Sequence, residues 1–238
     1  MIEITYLFHS GFYVELEKSI LIFDYFRDNC KKNRYKDCGQ IKKEDLPDNK
    51  NIYIFVSHGH YDHYDKEIFT FNKENISYIF SNDIKPLDNF QNITYLGNDE
   101  EVNIKDINIK TFGSTDEGIS FLVNVENFNI FHAGDLNWWH WEGENDKEKQ
   151  EAKNNYFKEV SKLKGKVIDF AFFPVDPRLE DAYYYGGEYF IREVSPKVFI
   201  PMHFQDVYEI TERFAEKMKD SKSEILKIST RGESLYRK

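Results

Sequence analysis

One short stretch of the chain, VSHGHYDHYD at residues 56–65, holds five side chains that can bind a cation or carry a proton. The stretch follows the apolar segment NIYIFV, so it begins where a buried strand is expected to end. Residues two apart in extended backbone point the same way, so His58 and His60 can present both imidazoles to one point. Asp62 and His63, which follow a turn, can face a second point close by. The spacing therefore predicts a site for one or two cations.

Imidazole and carboxylate donors decide which ions and which reactions such a site supports. They favour Zn²⁺, with Mn²⁺ or Fe²⁺ as alternatives. Two adjacent ions hold a hydroxide at neutral pH and polarise the bond that it attacks, which is the chemistry of hydrolysis. A surface loop that is rich in histidine by chance is the alternative. So tight a cluster at the end of a buried strand argues against it.

The composition is that of a folded acidic protein. The chain has 238 residues, of which 40% are apolar and 31% charged, and this fits one globular domain over residues 1–238. Its net charge of −10 argues against a nucleic-acid partner, because a phosphate backbone needs a basic surface. The sequence contains neither an apolar run of the roughly 18–20 residues that cross a membrane nor the pattern of a signal peptide. We therefore expect a cytoplasmic protein that acts on a small molecule and has no membrane partner.

The two cysteines, Cys30 and Cys38, lie in a polar segment. A disulfide between them is conceivable. We nevertheless expect two reduced thiols at the surface, because disulfides are rare in proteins of the cytoplasm.

Hydrophobic patterns place these residues on a layered α/β scaffold. Short alternating segments before residue 25 and between residues 76 and 132 predict strands. After Asp135, residues 146–163 have helical spacing, and the apolar runs VIDFAFFPV and KVFIPM predict buried strands. The segment EDAYYYGGEYFIREV between these two strands is expected to be helical. A strand-rich half followed by alternating strands and helices predicts two sheets with helices outside.

The segment HGHYDH after an apolar strand resembles the signature of the metallo-β-lactamase superfamily. Further segments resemble that family's pattern in the same order: ILIFD, which ends in Asp24, FHAGD, which ends in Asp135, and FIPMHF, which contains His203. The resemblance implies a four-layer αββα sandwich and a metal-dependent hydrolase. The segments ITYLFHSGFYVE and IFHAGD look most like the branch that contains ascorbate-6-phosphate lactonase. The motifs specify the fold far more than the substrate.

The resemblance also implies roles for single residues. Asp24 would brace the metal loop, Asp135 would bridge two ions and hold the hydroxide, and Asp62 would bind the second ion and manage the proton. The implied metal ligands are His58, His60, Asp62, His63, Asp135 and His203.

One usual ligand of the first ion is missing. The family supplies a further histidine where this chain reads IKTFGSTDEGISF, at Gly113 or Ser114, and no histidine occurs from residue 64 to 131. An oxygen of this segment or a histidine from elsewhere could replace it; the candidates are Ser114, Thr115, Asp116, His9, His132 and His140. Two other interpretations stay open: that only the second site is well occupied, and that GSTDEG is simply a polar turn.

Two histidines have positions that allow more than one role. His9, in FHSG, could contact substrate or support a metal ligand, or it could cap a turn. His132, just before the AGD turn, is expected to orient a ligand.

Aromatic and charged side chains near the motifs suggest a binding pocket. LNWWHWEG follows Asp135 and could form an aromatic wall for substrate, or its rings could simply pack in the core. Arg178, in FFPVDPRLED, could hold a carboxylate or phosphate, or it could form a bracing ion pair with Asp176.

Overall fold

Fourteen strands form two mixed sheets in the computed structural model, which describes residues 1–32, 34–86, 90 and 92–238. In spatial order, the first sheet consists of β14 (Ser234–Arg237), β1 (Ile2–Phe8), β2 (Gly11–Leu16), β3 (Ser19–Phe23), β4 (Asn51–Val56), β5 (Ile76–Ser81) and β6 (Ile93–Leu96). The second sheet consists of β13 (Glu224–Ile225), β12 (Val198–Met202), β11 (Phe170–Pro174), β10 (Phe128–His132), β9 (Ile119–Val125), β8 (Ile107–Gly113) and β7 (Glu101–Ile104).

Each sheet has an antiparallel part and a parallel part. Strands β3 to β6 run parallel in the first sheet, as do β10 to β13 in the second. Parallel strands are buried on both faces, which explains why β4, β11 and β12 are apolar throughout. The chemically active side chains follow the carboxyl ends of these parallel strands, as is usual in α/β folds. They are Asp24 after β3, residues 57–65 after β4, Asp135 after β10, Asp176 after β11 and His203 after β12.

An aromatic core joins the two sheets. Phe23 of β3 stacks on Phe55 of β4, with ring centres 4.7 Å apart. Phe12 of β2 stacks on Phe172 of β11 across the sandwich at 4.2 Å. Many of the aromatic residues of the sequence therefore pack in the core between the two sheets.

Three helices belong to this core: α1 (Asp146–Ser161), α2 (Tyr185–Val194) and α3 (Glu209–Lys217). The outer face of the first sheet is covered instead by the short 3-10 helices Tyr35–Cys38, Lys43–Asp45 and Lys66–Phe71 and the loops beside them. A further 3-10 helix, Pro177–Ala182, follows β11. Over the described part of the chain, no helix has both the length and the apolar character needed to cross a membrane.

The predicted αββα sandwich is confirmed, with differences in detail. The segment DKEIFTFNKEN, whose pattern favours a helix that starts near Asp65, forms only the 3-10 helix Lys66–Phe71, and the Asp65 side chain caps its first turn. The segment SEILKIS, whose pattern favours a closing strand, forms only the two residues of β13. Strand β14, which the polar segment ESLYRK did not suggest, pairs with β1 at the edge of the first sheet.

The expectation of two reduced thiols is wrong. Cys30 and Cys38 form a disulfide, and their Cα atoms lie 5.7 Å apart. The short helix Tyr35–Cys38 and the left-handed Gly39 that ends it turn the chain back toward Cys30. A turn of this kind cannot be read from the spacing of the two cysteines.

Candidate metal centre

Two groups of potential metal ligands meet at the edge where the parallel strands end. Within each group, every residue offers a donor atom that lies within 4.8 Å of the others. The first group consists of His58, His60 and Asp135. The second group consists of His9, Asp62, His63 and His203.

The Asp135 carboxylate lies between the two groups. Its Oδ1 atom is 3.2 Å from His63 Nε2 and 3.4 Å from His203 Nε2. Its Oδ2 atom is 3.5 Å from His58 Nε2. Each oxygen thus faces a different group, which is the orientation of a carboxylate that bridges two ions.

Two of these three separations, 3.4 and 3.5 Å, are longer than ordinary hydrogen bonds and match a coordination shell. Hydrogen bonds from N–H to oxygen span about 2.7–3.2 Å. Donors around a tetrahedral zinc ion, each about 2.0–2.1 Å from the metal, are roughly 3.3–3.5 Å apart. Among the described residues, His63 Nε2, Asp135 Oδ1 and both ring nitrogens of His9 are buried without a hydrogen-bond partner. Burying polar atoms unpaired is costly, so the residues fit a bound cation.

Buried partners fix the orientation of the imidazoles around Asp24. Asp24 accepts hydrogen bonds from the backbone N–H of Ser57 at 2.8 Å, from its hydroxyl at 2.7 Å, and from His63 Nδ1 at 2.8 Å. The Ser57 oxygen, having donated its own proton, accepts from His58 Nδ1 at 2.9 Å. The Nε2 atoms of His58 and His63 therefore face Asp135, and His58 Nε2 also lies 3.0 Å from His60 Nδ1. Asp24 thus holds the loop at residues 57–65 through Ser57 and His63.

His203 is oriented in the same way by Asp176. Its Nδ1 atom donates to Asp176 Oδ2 at 2.9 Å, and Arg178 binds the same carboxylate through Nε and Nη2. Arg178 also lies over the ring of Trp141, 5.6 Å from its centre, and lines the cavity described below. The bracing ion pair is therefore formed, and it does not exclude contact between Arg178 and a substrate.

The histidines of the centre differ in their pKa values. Burial lowers the pKa of His9 and of His58 to about 4, with smaller contributions from His203 and His63 respectively. Burial would also lower the pKa of His203, but Asp135 and Asp176 raise it to about 10. Asp135 and Asp24 likewise raise the pKa of His63 against the effect of burial. His9 and His58 are thus neutral and able to bind a metal, whereas His203 holds a proton that a cation would displace.

At Gly113, where the family's further histidine is expected, the neighbouring side chains leave no space for a side chain. A Cβ atom there would lie 2.8 Å from Asn98 Nδ2 and 2.9 Å from the Glu159 carboxylate, which accepts the Gly113 N–H at 3.1 Å. The next two residues shape the turn, because Ser114 Oγ accepts the Asp116 N–H and Thr115 donates to the Asn137 carbonyl. The oxygens of Ser114 and Thr115 are thus engaged in hydrogen bonds of the turn, and Gly113 has no side chain to offer the first group.

Two carboxylates of the same turn lie close to the centre. Glu117 Oε2 is 3.4 Å from His60 Nε2, on the side of the ring opposite to His58. Asp116 lines the cavity, where burial and the nearby Asp135 raise its pKa. Sequence reasoning missed Glu117, although its position next to Asp116 in a turn that lacks the usual ligand was a signal for it.

The histidines proposed as replacements from other segments do not complete the first group. His132 donates from Nε2 to the Ser10 carbonyl at 2.9 Å and accepts the Gly134 N–H at 3.2 Å, behind Asp24. His140 lies outside both donor groups and contacts Trp138 and Tyr185.

A cavity of about 490 Å³ opens over the two groups. Trp139 and Trp141 form one wall, with parallel rings 5.7 Å apart, and Trp139 donates from Nε1 to the Asp135 carbonyl at 3.0 Å. Trp138 instead packs against Phe157 of α1 and Tyr185 of α2. Trp139 and Trp141 therefore line the cavity, whereas Trp138 packs against the helices.

Comparisons with known proteins agree with this architecture. No curated protein matches the chain. Among solved structures, Igni18, a metallo hydrolase from the archaeon Ignicoccus hospitalis, has a TM-score of 0.64 at 14% identity, over 100% of this chain and 99% of that one. A possible metal-dependent hydrolase from Veillonella parvula has a TM-score of 0.62 at 14% identity, over 99% of each chain.

A third similar structure has a different activity. It is CmlA, a diiron β-hydroxylase from Streptomyces venezuelae, with a TM-score of 0.65 at 10% identity, over 99% of this chain and 54% of that one. At these identities the structures show a shared fold alone. Residues 3–203 match the family described as "Beta-lactamase superfamily domain", and the chain therefore belongs to that family.

Proposed function

We propose that this protein is a metal-dependent hydrolase of small molecules whose scissile group is a lactone, ester, amide or phosphodiester. The observation that carries the proposal is the position of Asp135, whose two oxygens face separate groups of metal ligands at the wall of a substrate-sized cavity. The ions would be one or two divalent metals per chain, with Zn²⁺ favoured over Mn²⁺ or Fe²⁺ by the imidazole and carboxylate donors.

The residues of the chain divide the work of such a reaction. Bound ions would supply the nucleophile by lowering the pKa of water, and would polarise the bond under attack. Asp135 connects the two donor groups, because each of its oxygens faces one of them. Asp62 lines the cavity, where it would take the proton of the attacking water and return it to the leaving group. Asp116 also lines the cavity, and burial and Asp135 raise its pKa.

The cavity supports a substrate with an apolar part and an anionic or polar part. Trp139 and Trp141 exclude water from one wall, and Arg178 places a guanidinium beside them. Within this class we favour a lactone, because the N-terminal segment ITYLFHSGFYVE and the segment IFHAGD resemble the branch that contains ascorbate-6-phosphate lactonase.

One observation favours a second candidate, a metal-binding sensor or scaffold without turnover. The first group has three donors, His58, His60 and Asp135, where the family usually provides a further histidine. A first site that holds its ion weakly would leave the fold able to bind metal and unable to catalyse.

A substrate screen separates the two candidates. Metal-free protein would be reloaded with Zn²⁺, Mn²⁺ or Fe²⁺ and tested on lactones, esters, amides and phosphodiesters, next to the variants His60→Ala and His140→Ala. We expect turnover that requires metal, is lost in His60→Ala and is retained in His140→Ala. Metal-loaded protein that turns over none of these classes would contradict the hydrolase and support the sensor.

A further inference from the structure

His9 occupies a turn that is built to hold it beside the centre. It lies between β1 and β2 with a φ angle of 56°, in the left-handed region that side chains other than glycine rarely adopt. Its N–H donates to Tyr6 Oη at 2.8 Å, and its carbonyl accepts the N–H of His203 at 3.1 Å. The His9 and His203 rings are consequently 4.1 Å apart. The two backbone hydrogen bonds hold a strained residue in a fixed position.

The His9 imidazole is buried and lacks a hydrogen-bond partner. The residue is 1% exposed, and neither ring nitrogen is hydrogen-bonded within the described residues. The nearest acid is Asp62, whose Oδ2 atom is 3.4 Å from His9 Nε2, which is the spacing of two donors on one metal ion. A strained backbone and unpaired buried nitrogens both cost stability, so this arrangement calls for a functional explanation.

Two other roles fit His9 less well. A histidine that caps the turn would hydrogen-bond to backbone groups through its ring, and this ring does not do so within the described part of the chain. A histidine that contacts substrate would line the cavity, where Asp62 and His203 lie and His9 does not. The imidazole faces the second donor group instead.

We propose that His9 is a metal ligand, which joins Asp62, His63 and His203 around the second ion. This inference rests on the proposed metal centre and goes further, because it makes the two sites unequal. The second site has four donors and Asp135 Oδ1, whereas the first has His58, His60 and Asp135 Oδ2. The second site therefore fills first and holds its ion tightly, and the ion of the first site exchanges readily. Three imidazoles favour a borderline ion such as Zn²⁺ or Co²⁺ there.

Titration of metal-free protein with Co²⁺ tests the assignment, because the visible spectrum of Co²⁺ reports coordination number and does not depend on activity. The test variant is His9→Asn, since asparagine tolerates the left-handed backbone. The control is His140→Asn, at a histidine outside both donor groups. For the unmodified protein we expect a tight binding step followed by a weak one.

The two variants should then differ. In His9→Asn, the tight step should weaken by more than the roughly 10–100-fold that loss of a supporting hydrogen bond costs, with an altered spectrum of the first equivalent. His140→Asn should match the unmodified protein. An unchanged tight step and spectrum in His9→Asn would overturn the proposal. If the unmodified protein bound no Co²⁺ at all, the proposed metal-dependent hydrolase would be contradicted as well. An unchanged His9→Asn variant of a protein that does bind Co²⁺ would contradict only the role of His9.

A second measurement does not depend on the folding of a variant. In isotopically labelled unmodified protein, the ring-nitrogen NMR signals of His9 should change on addition of one equivalent of Zn²⁺, together with those of His63 and His203. A His9 signal that stays unchanged while those of His63 and His203 move would show that His9 is not a ligand.

Discussion

Three buried carboxylates, Asp24, Asp135 and Asp176, set the charge of the candidate centre. Burial alone would raise the pKa of each, yet the neighbouring histidines lower all three, so the carboxylates stay ionised. In the absence of a cation, His203 holds a proton whose positive charge balances them, and the carboxylates also favour the protonated form of His63. A divalent ion would replace those protons, which explains why such a concentration of buried charge is tolerated.

Asp24 would act on a bound metal only through the residues that it orients. The substitution Asp24→Asn keeps the shape of the side chain but removes the charge that fixes Ser57 and His63. We expect metal affinity to fall about 10–100-fold, as measured by competition with a chelator. The control Asp48→Asn, at an exposed carboxylate paired with Lys73, should leave the affinity unchanged. Equal affinities for the two variants would show that Asp24 does not support the centre.

The pKa of His203 predicts how the metal-free protein responds to pH. The folded-state pKa is raised from 6.5 to about 10, so the stabilisation is complete below pH 6.5 and is lost as the pH rises through about 10. The Tm of metal-free protein should therefore fall over this interval, and apparent metal affinity should rise, because less proton has to be displaced. A Tm slope that is identical in His203→Gln would refute the assignment of this proton to His203.

Single residues were predictable from the sequence where local spacing was enough. The segment HGHYDH indicated its ligands because strand alternation and one turn determine where those side chains point. The pairing of His203 with Asp176 and of His60 with Glu117 joins residues that are distant in sequence. Such pairs depend on which strands become neighbours, and the sequence alone did not reveal that.

At the scale of elements, the centre depends on close contact between the metal loop and the turn after β8. Gly118, in that turn, has a φ angle of 74°, and a Cβ atom there would lie 2.0 Å from the Ser57 carbonyl oxygen and 2.5 Å from His58 Cβ. The N–H of Ile119 donates to the same Ser57 carbonyl at 3.0 Å. The turn after β8 thus supports the loop that carries HGHYDH. This support does not depend on whether the turn itself supplies a ligand.

The contact predicts that Gly118→Ala is damaging. The added methyl group must displace the backbone of Ser57 and strain its own, so we expect a loss of roughly 1–3 kcal/mol in the free energy of unfolding, together with weaker metal binding. The matched control is Gly143→Ala, where a Cβ atom has no neighbour within 4 Å. Denaturant unfolding should place the control within about 0.5 kcal/mol of the unmodified protein. A neutral Gly118→Ala would contradict the close approach.

Elements with a strong hydrophobic period were the ones that sequence reasoning located. The buried strands β4, β11 and β12 are examples. The helix α1, whose apolar period is weaker, lies within the predicted residues 146–163. The edge strand β14 was missed, because it is short and polar and is specified by its pairing with β1. The same limit applies to the disulfide, which depends on a turn between its cysteines and not on their spacing.

At the scale of the whole molecule, both sheets contribute to one centre. His58 and His63 follow β4 of the first sheet, whereas Asp135 and His203 follow β10 and β12 of the second. A bound ion would therefore link the two halves of the sandwich as well as supply the chemistry. Stability and metal content should be coupled for this reason.

Removal of metal should lower the thermal stability of the protein. An ion at about 100 times its Kd contributes about 2.7 kcal/mol, which corresponds to about 5–10 °C in Tm for a domain of this size. Differential scanning calorimetry with and without a chelator measures the shift. His63→Ala, which lacks a donor of the second group, should respond little to the chelator. A chelator that lowers both Tm values equally would argue against this coupling.

Elemental analysis of protein purified without chelator tests the central claim most directly. The two donor groups predict about one or two ions of Zn, Mn or Fe per chain, with a second equivalent gained on reconstitution if one was lost. Metal well below one ion per chain, with no gain on reconstitution, would contradict the metal centre and the hydrolase built on it.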